Sequence, residues 1–337
     1  MPKMRMNQAI AAGIAEEMRL DPSVVVFGED VAAAGGPFKT SDGLFDEFGP
    51  LRVRDTPISE MGFVGAAVGA ASTGLRPVAE IMFIEFLGVA LDQLSTEAAK
   101  FHYLSGGKIN VPMVIRASVG AGLGFGAQHS QTLETWMFAT PGLKLAVASS
   151  PQNAYGLIRA AIRDPNPVVL LEPRTLYASR GDVTTGDDGI VPLGKAEAVA
   201  RGSDVTIVSL GAMVGTALEA TSTADWTADV IDLRTLVPWD VDAVLESVDR
   251  TGRLVLVEEA PVSGGWGVEV AARVAGEGFR SLRAPITRIT CPDVPVPFGK
   301  ELEARFLPSA DYVVDQVDEL LATDALPAPW WIMEGIG

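Results

Sequence analysis

Short apolar runs alternate with amphipathic runs along almost the whole chain. The runs VVVFG from Val24, VAEIMF from Val78 and VPMVIRAS from Val111 are typical of buried strands. Between such runs, apolar residues recur at helical spacing, as in PQNAYGLIRAAIR from Pro151. Strands separated by helices predict parallel sheets that are covered on both faces, so the fold class is α/β.

The alternation stops after Tyr177 and begins again with DVTIVSL from Asp204. The stretch up to Gly194 is rich in Gly, Asp and Thr, which is typical of a linker. A chain of 337 residues is also long for a single core, so we predict two parallel-sheet sandwiches. The predicted limits are 1–185 for the first domain, 186–196 for the linker, 197–322 for the second domain and 323–337 for a tail without structural assignment.

The net charge and the hydropathy limit the classes of partner. A formal charge of −17 argues against nucleic acid, whose phosphates need a basic surface, and it suits a basic or neutral protein partner. Solubility alone explains most of such a charge in many proteins. The mean hydropathy of +0.25 is high for a soluble protein and predicts an extensive subunit interface.

Several features predict a cytoplasmic protein. The most apolar stretch, 78–91, carries Glu80 and Glu85, so we expect no membrane span. The first 20 residues have the pattern of an amphipathic helix rather than that of a signal peptide. The one cysteine, Cys291, forms neither an internal disulfide nor a zinc site by itself, which suits a reducing compartment.

Glu60 is the first candidate for chemistry. It ends the segment DTPISE, in which Thr56 or Ser59 can cap a helix whose dipole stabilises a carboxylate. This structural role accounts for the spacing by itself. The apolar neighbours Ile58 and Met61 indicate a second role, because a carboxyl group among apolar side chains can keep a proton near neutral pH and share it with a ring nitrogen.

The predicted helix after Glu60 contains Gly62, Gly65 and Gly69. Each glycine costs a helix about 1 kcal/mol relative to alanine, so another backbone or a ligand is expected to approach closely. A cofactor or subunit interface explains these glycines as well as tight packing inside the domain does.

The loop VGAGLGFGAQHSQ, 119–131, is the second candidate. Its four glycines predict a mobile loop after a strand, at the sheet edge where open α/β proteins place ligands. The spacing matches neither a dinucleotide fingerprint nor a P-loop, so it predicts no phosphate site. Only two histidines occur in the chain, and the position of His129 in this loop favours a catalytic role. His102 lies late in a predicted helix, where an interaction with the helix end is sufficient.

A third candidate is the turn that ends the predicted helix 151–163. Asp164 and Asn166, with nearby helix-end carbonyls, provide oxygen ligands of the kind that hard cations prefer. A plain turn explains the same residues.

Several segments together resemble the E1 β subunits of 2-oxo acid and acetoin dehydrogenase complexes. They follow the order of that family from about residue 4 to residue 321. The segments are GED at 28–30, DTPISEMGFVGAAVGAA at 55–71, AAKFHYLSGGK at 98–108, GAQHSQ at 126–131, PGLKL at 141–145, AIRDPNPVV at 161–169, DLRTLVPWD at 232–240 and VPVPF at 294–298.

The resemblance implies a thiamine-diphosphate enzyme in which a pyrimidine-binding domain precedes a transketolase C-terminal type domain. Glu60 matches the glutamate that hydrogen-bonds N1′ of the aminopyrimidine, and Ile58, Met82 and Phe86 match its cofactor contacts. His129 matches a histidine proposed to assist acyl transfer to the lipoyl group. The resemblance further implies a structural potassium site of some family members, at Ala161, Ile162, Asp164 and Asn166.

The resemblance also implies a partner chain. The family's pyrophosphate and Mg²⁺ motif, GDG followed by an Asn-rich stretch, is missing from the sequence and belongs to the α subunit. We therefore expect the chain to be inactive alone and to form an α2β2 heterotetramer that docks on a lipoyl-bearing E2 acyltransferase. The acidic second domain suits a basic docking domain.

The substrate is expected to be acetoin, then pyruvate. Glu85 in MFIEFLG and the loop GAGLGFGAQHSQ resemble the acetoin type more than the pyruvate type. A branched-chain 2-oxo acid is an alternative, since the α subunit contributes much of the substrate pocket. A non-catalytic scaffold subunit that docks E2 is the alternative from another class, and the presence of Glu60 and His129 argues against it.

Overall fold

The computed structural model of the chain describes residues 1–333, and only the backbone of Met333. The chain divides into two compact units. The first unit comprises residues 1–120, 136–194 and 235–238, and the second comprises 121–135, 195–234 and the described chain from Trp239 onwards.

The helices and strands follow each other in α/β order. Up to residue 182 they are β1 (Lys3–Arg5), α1 (Met6–Leu20), β2 (Val24–Gly28), α2 (Leu44–Phe48), β3 (Val53–Asp55), α3 (Glu60–Ser72), β4 (Arg76–Ile81), α4 (Leu87–Asp92), α5 (Ala99–Leu104), β5 (Val114–Val119), α6 (Glu134–Phe138), β6 (Lys144–Val147), α7 (Pro151–Arg163), β7 (Val168–Pro173) and β8 (Arg180–Asp182). They continue with β9 (Glu197–Ala200), β10 (Val205–Ser209), α8 (Met213–Thr223), β11 (Ala228–Asp232), β12 (Thr235–Val237), α9 (Val241–Thr251), β13 (Leu254–Pro261), α10 (Gly267–Glu277), β14 (Thr287–Cys291), α11 (Lys300–Phe306), α12 (Ala310–Thr323) and α13 (Trp330–Met333).

The first unit is built on a seven-stranded sheet in the order β12-β6-β7-β5-β4-β2-β3. All its neighbouring strands are parallel except β12, which runs antiparallel to β6. Helices α1 and α7 bury their apolar faces together in the core of this unit. Ser150 begins α7 by accepting a hydrogen bond from Asn153 N at 3.1 Å, and Pro151 occupies the first helical position, so the sequence fixes this helix start locally.

The second unit has a five-stranded sheet in the order β14-β13-β10-β11-β9, parallel apart from the edge strand β9. Its core joins the inner strands to α8 and α12. Both sheets confirm the predicted α/β class. Among residues 1–333, each helix is too short or too polar to cross a lipid bilayer.

The predicted linker and tail both pack against other parts of the chain. Residues around 186–189 lie on α7, since Gln152 Nε2 donates to Gly189 O at 2.9 Å and the Arg159 guanidinium donates to Gly186 O. In the tail, Trp331 is buried and Trp330 N donates to the Tyr312 hydroxyl of α12 at 3.2 Å. Glu334–Gly337 lie outside the described residues. The predicted boundaries near 185, 197 and 323 stay predictions.

Candidate active site

The carboxyl ends of neighbouring parallel strands form one edge of the first sheet. Glu29 follows β2, Glu60 opens α3 after β3, and Met82 follows β4. Since β4, β2 and β3 are adjacent in the sheet, these three residues share the edge at which open α/β sheets bind ligands. The backbone ties the edge together, because Thr56 N donates to Gly28 O at 2.9 Å.

Glu60 is only 8% exposed, although it is the first residue of α3. The side chain of the preceding Ser59 makes no capping bond, and Glu60 lies in the first turn of α3, where the positive end of the helix dipole stabilises a carboxylate. Thr56 Oγ1 is buried and has no hydrogen-bond partner among residues 1–333. Thr56 directly follows β3 at the same sheet edge, and an unsatisfied buried hydroxyl there is typical of a site that binds a polar ligand.

Glu29 is a residue that sequence reasoning did not assign to the site. Its Oε1 atom is buried without a hydrogen-bond partner in the described chain. Burial, followed by the negative charges of Glu60 and Asp30, raises the pKa of Glu29. Glu29 and Glu60 therefore form an interacting pair of carboxyl groups. The signal in the sequence was the acidic pair that directly follows the buried strand VVVFG.

The three residues that the resemblance assigns to cofactor contacts differ in exposure. Met82 and Phe86 are half-buried in the segment after β4, while Ile58 is 85% exposed. The Met82 carbonyl accepts a hydrogen bond from the Ser118 hydroxyl. The Phe86 ring meets the Phe83 ring edge to face, with 5.8 Å between the ring centroids. The Ser118 hydroxyl thus fixes the backbone of Met82, and the Phe83 ring packs against that of Phe86. The Ile58 side chain is exposed to solvent.

A buried ion-pair network lies inside the sheet at β4, β5 and β7. Arg116 Nη1 contacts Glu80 Oε2 at 2.7 Å, and its Nε contacts Glu172 Oε1 at 2.7 Å. Burial opposes the charge on Arg116, but the carboxylates of Glu172 and Glu80 outweigh it and raise the Arg116 pKa. The Tyr177 hydroxyl completes the network with a 2.9 Å bond to Glu172 Oε2. These satisfied charges hold three central strands together.

The glycine loop with His129 belongs to the second unit and is anchored there. Glu303 of α11 accepts hydrogen bonds from Gly122 N at 2.8 Å and Gly124 N at 2.9 Å, and Glu259 Oε1 accepts one from Ala121 N at 2.6 Å. The loop is therefore tied down at its start by two carboxylates, where the glycines had predicted mobility. His129 N closes a turn onto Gly126 O at 3.2 Å, and the His129 side chain is half-buried.

A cavity of about 390 Å³ lies beside this loop in the second unit. Residues 130–133 line one side of it, and Glu259, the segment 293–296 and Phe306 line the other. Glu134, just beyond the cavity lining, is buried. Burial, reinforced by the charges of Glu259 and Glu258, raises the pKa of Glu134 to about 8. This carboxyl group is therefore largely protonated at neutral pH.

The four residues of the expected potassium site lie together at the end of α7. Asp164 Oδ1 accepts from Asn166 N at 2.9 Å, and the Lys144 ammonium contacts Asp164 Oδ2. The carbonyl of Ile162 accepts a 2.8 Å hydrogen bond from Arg76 Nη1, and that of Ala161 accepts one from Asp164 N at 3.2 Å. The carbonyl, carboxylate and amide oxygens at a helix C-terminus form a donor set suited to a hard monovalent cation. Within residues 1–333, no three His, Cys, Asp or Glu side chains are arranged to hold a metal ion.

Known protein families and individual relatives match most of the chain. Residues 2–180 match the family "Transketolase, pyrimidine binding domain", and residues 194–313 match "Transketolase, C-terminal domain". The chain is 45% identical to the acetoin:2,6-dichlorophenolindophenol oxidoreductase subunit beta of Bacillus subtilis, over 95% of this chain and 98% of that one. It is 44% identical to the pyruvate dehydrogenase E1 component subunit beta of Rhizobium meliloti, over 94% of this chain and 70% of that one.

The chain belongs to the family of E1 β subunits. Among solved structures, a split-gene transketolase, described as an inactive beta4 tetramer, has 26% identity and a TM-score of 0.77, covering 95% of this chain and 99% of that one. Transketolase from Leishmania mexicana has the same fold at 17% identity, with a TM-score of 0.70 over 99% of this chain and 48% of that one. As an E1 β subunit, the chain carries the pyrimidine-binding type of domain first and the C-terminal type second, as the sequence had predicted.

Proposed function

We propose that this chain is the β subunit of a heteromeric thiamine-diphosphate-dependent E1 enzyme. The complex cleaves acetoin or decarboxylates a 2-oxo acid and passes the acyl group to a lipoyl-bearing E2 acyltransferase. Acetoin is the favoured substrate and pyruvate the second, because Glu85 and the loop GAGLGFGAQHSQ resemble the acetoin type. Relatives of both kinds share about the same identity with the chain, so both substrates are tested. The observation that carries the proposal is the buried Glu60, which interacts with Glu29 at the carboxyl edge of the first sheet.

Thiamine diphosphate supplies, when bound, a nucleophilic carbon for the substrate carbonyl and a sink for the electrons of the cleaved bond. Glu60 holds a proton at N1′ of the aminopyrimidine, for which a buried carboxyl group is suited. Met82 and Phe86 would pack on the pyrimidine ring, and Ile58 would add an apolar contact. His129 would donate or accept a proton when the acyl group passes to the lipoyl arm. The α subunit would hold Mg²⁺ and the pyrophosphate.

The test is reconstitution with the E1 α-type partner. We expect the mixture of the two chains to reduce an artificial electron acceptor when thiamine diphosphate and Mg²⁺ are present. Neither chain alone should do so. Acetoin, pyruvate and 3-methyl-2-oxobutanoate are compared as substrates, and the preferred one assigns the enzyme. A stable mixed complex that is inactive with all three substrates would contradict the proposal and favour a scaffold subunit.

We further infer a structural potassium ion held by the carbonyls of Ala161 and Ile162 and the side chains of Asp164 and Asn166. The ion competes with Lys144 for Asp164, so its binding lengthens that ion pair. Potassium chloride is expected to raise the melting temperature above that in equal sodium chloride. Asp164→Ala should abolish the difference, and a wild-type chain with the same melting temperature in both salts would rule the ion out.

A further inference from the structure

Arg174 is a buried arginine at the same sheet edge as the candidate active site. It directly follows β7 and is only 3% exposed. Its Nη1 donates a 3.1 Å hydrogen bond to the Ser118 hydroxyl, and its Nη2 donates to the Gly120 carbonyl. The guanidinium therefore joins the carboxyl end of β7 to that of β5.

Ser118 extends this connection to β4. A guanidinium group can only donate hydrogen bonds, so the Ser118 oxygen accepts from Arg174 and its own proton is directed to the Met82 carbonyl. The direction of both bonds is thus fixed. The relay runs from Arg174 through Ser118 to the backbone of Met82, across three adjacent parallel strands.

Arg174 also reaches the aromatic side chains after β4. Its guanidinium carbon lies 5.1 Å from the centroid of the Phe83 ring, within the range of a cation–π contact. Phe83 in turn packs edge to face on Phe86, with ring planes at 82°. Phe38 also packs edge to face on Phe83, with 5.8 Å between the ring centroids. One buried cation is therefore connected both to the backbone at Met82 and to the ring of Phe86.

We propose that Arg174 is a positioning residue that sets the segment 82–86 against the aminopyrimidine ring of thiamine diphosphate. The inference rests on the proposed function, because it requires Met82 and Phe86 to contact the cofactor. Arg174 acts through Ser118 and Phe83 and does not itself touch the pyrimidine. A merely structural arginine would influence folding stability alone, whereas a positioning residue influences the affinity for the cofactor.

The experiment measures thiamine diphosphate binding to the reconstituted complex by near-ultraviolet circular dichroism. Arg174→Met removes both connections and is expected to raise the dissociation constant about tenfold, equivalent to about 1.4 kcal/mol. Ser118→Ala removes only the relay, so it should also raise the dissociation constant, but by a smaller factor than Arg174→Met does. Arg174→Lys keeps the charge but lacks the planar fork, so it should restore part of the affinity at most. The double variant should bind thiamine diphosphate about as weakly as Arg174→Met does, because Arg174→Met already interrupts the relay that Ser118→Ala removes.

Arg159→Met is the matched control. Arg159 is 0% exposed, and its Nε donates to Glu17 of α1 at 2.7 Å. We expect this variant to lower the melting temperature and leave the dissociation constant for thiamine diphosphate unchanged. If Arg174→Met and Ser118→Ala behave like Arg159→Met, the inference is overturned while the proposed function stands. If Arg174→Met fails to fold, the dissociation constant of the Ser118→Ala complex alone tests the inference. A wild-type complex that binds no thiamine diphosphate would overturn both proposals.

Discussion

Glu29 follows β2 and Glu60 opens α3 after the adjacent strand β3, and the negative charge of Glu60 contributes to the raised pKa of Glu29. Burial is the larger cause, and both effects favour the protonated form of the Glu29 carboxyl group. A neutral Glu29 does not repel the Glu60 carboxylate. At the residue scale, the chemistry assigned to Glu60 therefore depends on its neighbour as well as on its own burial.

The first prediction concerns Glu60→Gln in the reconstituted complex. The amide cannot hold the acidic proton at N1′, so exchange of the thiazolium C2 proton, followed by NMR in deuterium oxide, should slow at least about 100-fold. The melting temperature should stay close to that of the wild type, since the amide has the same shape. Glu47→Gln on the exposed surface serves as the control and should not alter exchange. Full activity of Glu60→Gln would favour the scaffold reading.

A second prediction concerns Glu134, whose pKa is raised by burial from 4.5 to about 8. The folded state binds this proton more tightly than the unfolded state, so the stability contributed by the neutral group is complete below about pH 4.5 and is lost as the pH rises through about 8. Glu134→Gln stays neutral. The melting temperature of the variant minus that of the wild type should therefore grow from about pH 5 to about pH 8 and then level off.

The control for Glu134 is the exposed Glu277→Gln, whose difference from the wild type should hardly change with pH in this range. A Glu134→Gln difference that is flat with pH would show that the carboxyl group is ionised in the folded chain.

At the scale of elements, the long periodic segments were predictable and the short ones were not. The helix 151–163 and the strand that begins at Val24 were both confirmed, because their burial pattern repeats over enough residues to be visible. The strands β3, β8, β9 and β12 have only three or four residues each. Such short strands are defined by pairing with a strand that is distant in sequence, which a local pattern of residues does not reveal. The segment LGVALDQLSTEAAKFHYL, 87–104, has the pattern of one helix that ends near His102. The structure has a π-helical segment at 93–98 within it, which no periodicity indicated.

Helix α3 allows a prediction about its glycines. A Cβ atom on Gly69 would meet no atom within 4 Å, so packing inside the unit does not require this glycine. Gly69→Ala should raise the free energy of unfolding by about 0.5–1 kcal/mol, measured by urea denaturation of the isolated chain. Gly156 in α7 is the matched control, since a Cβ there would lie 2.5 Å from Gly189 O. Gly156→Ala should lower the free energy of unfolding, and equal effects of the two substitutions would contradict this account.

At the scale of the whole molecule, the candidate site was only partly predictable. Glu60 and His129 stand out in the sequence through their local surroundings. Arg174 does not, because its role depends on Ser118 and Met82, which are distant in the chain. The grouping of the His129 loop with the second unit likewise depends on Glu303, whose contacts with the loop span about half the chain.

The late position of strand β12 in the sequence prolongs the time for which the growing chain can aggregate through an uncovered sheet edge. Within residues 1–333, β12 (235–237) is the strand that pairs with the outer edge of β6, so a ribosome that has completed β7 must still make β8, β9, β10, α8 and β11 before it reaches β12. At roughly 5–20 residues per second this takes several seconds. Throughout that interval the nascent chain exposes an unpaired strand to its neighbours. Premature termination before residue 235 should therefore release chains that associate through β6, even though every residue of the first sheet's interior is already present. Slow translation should lengthen the time for which β6 is unpaired.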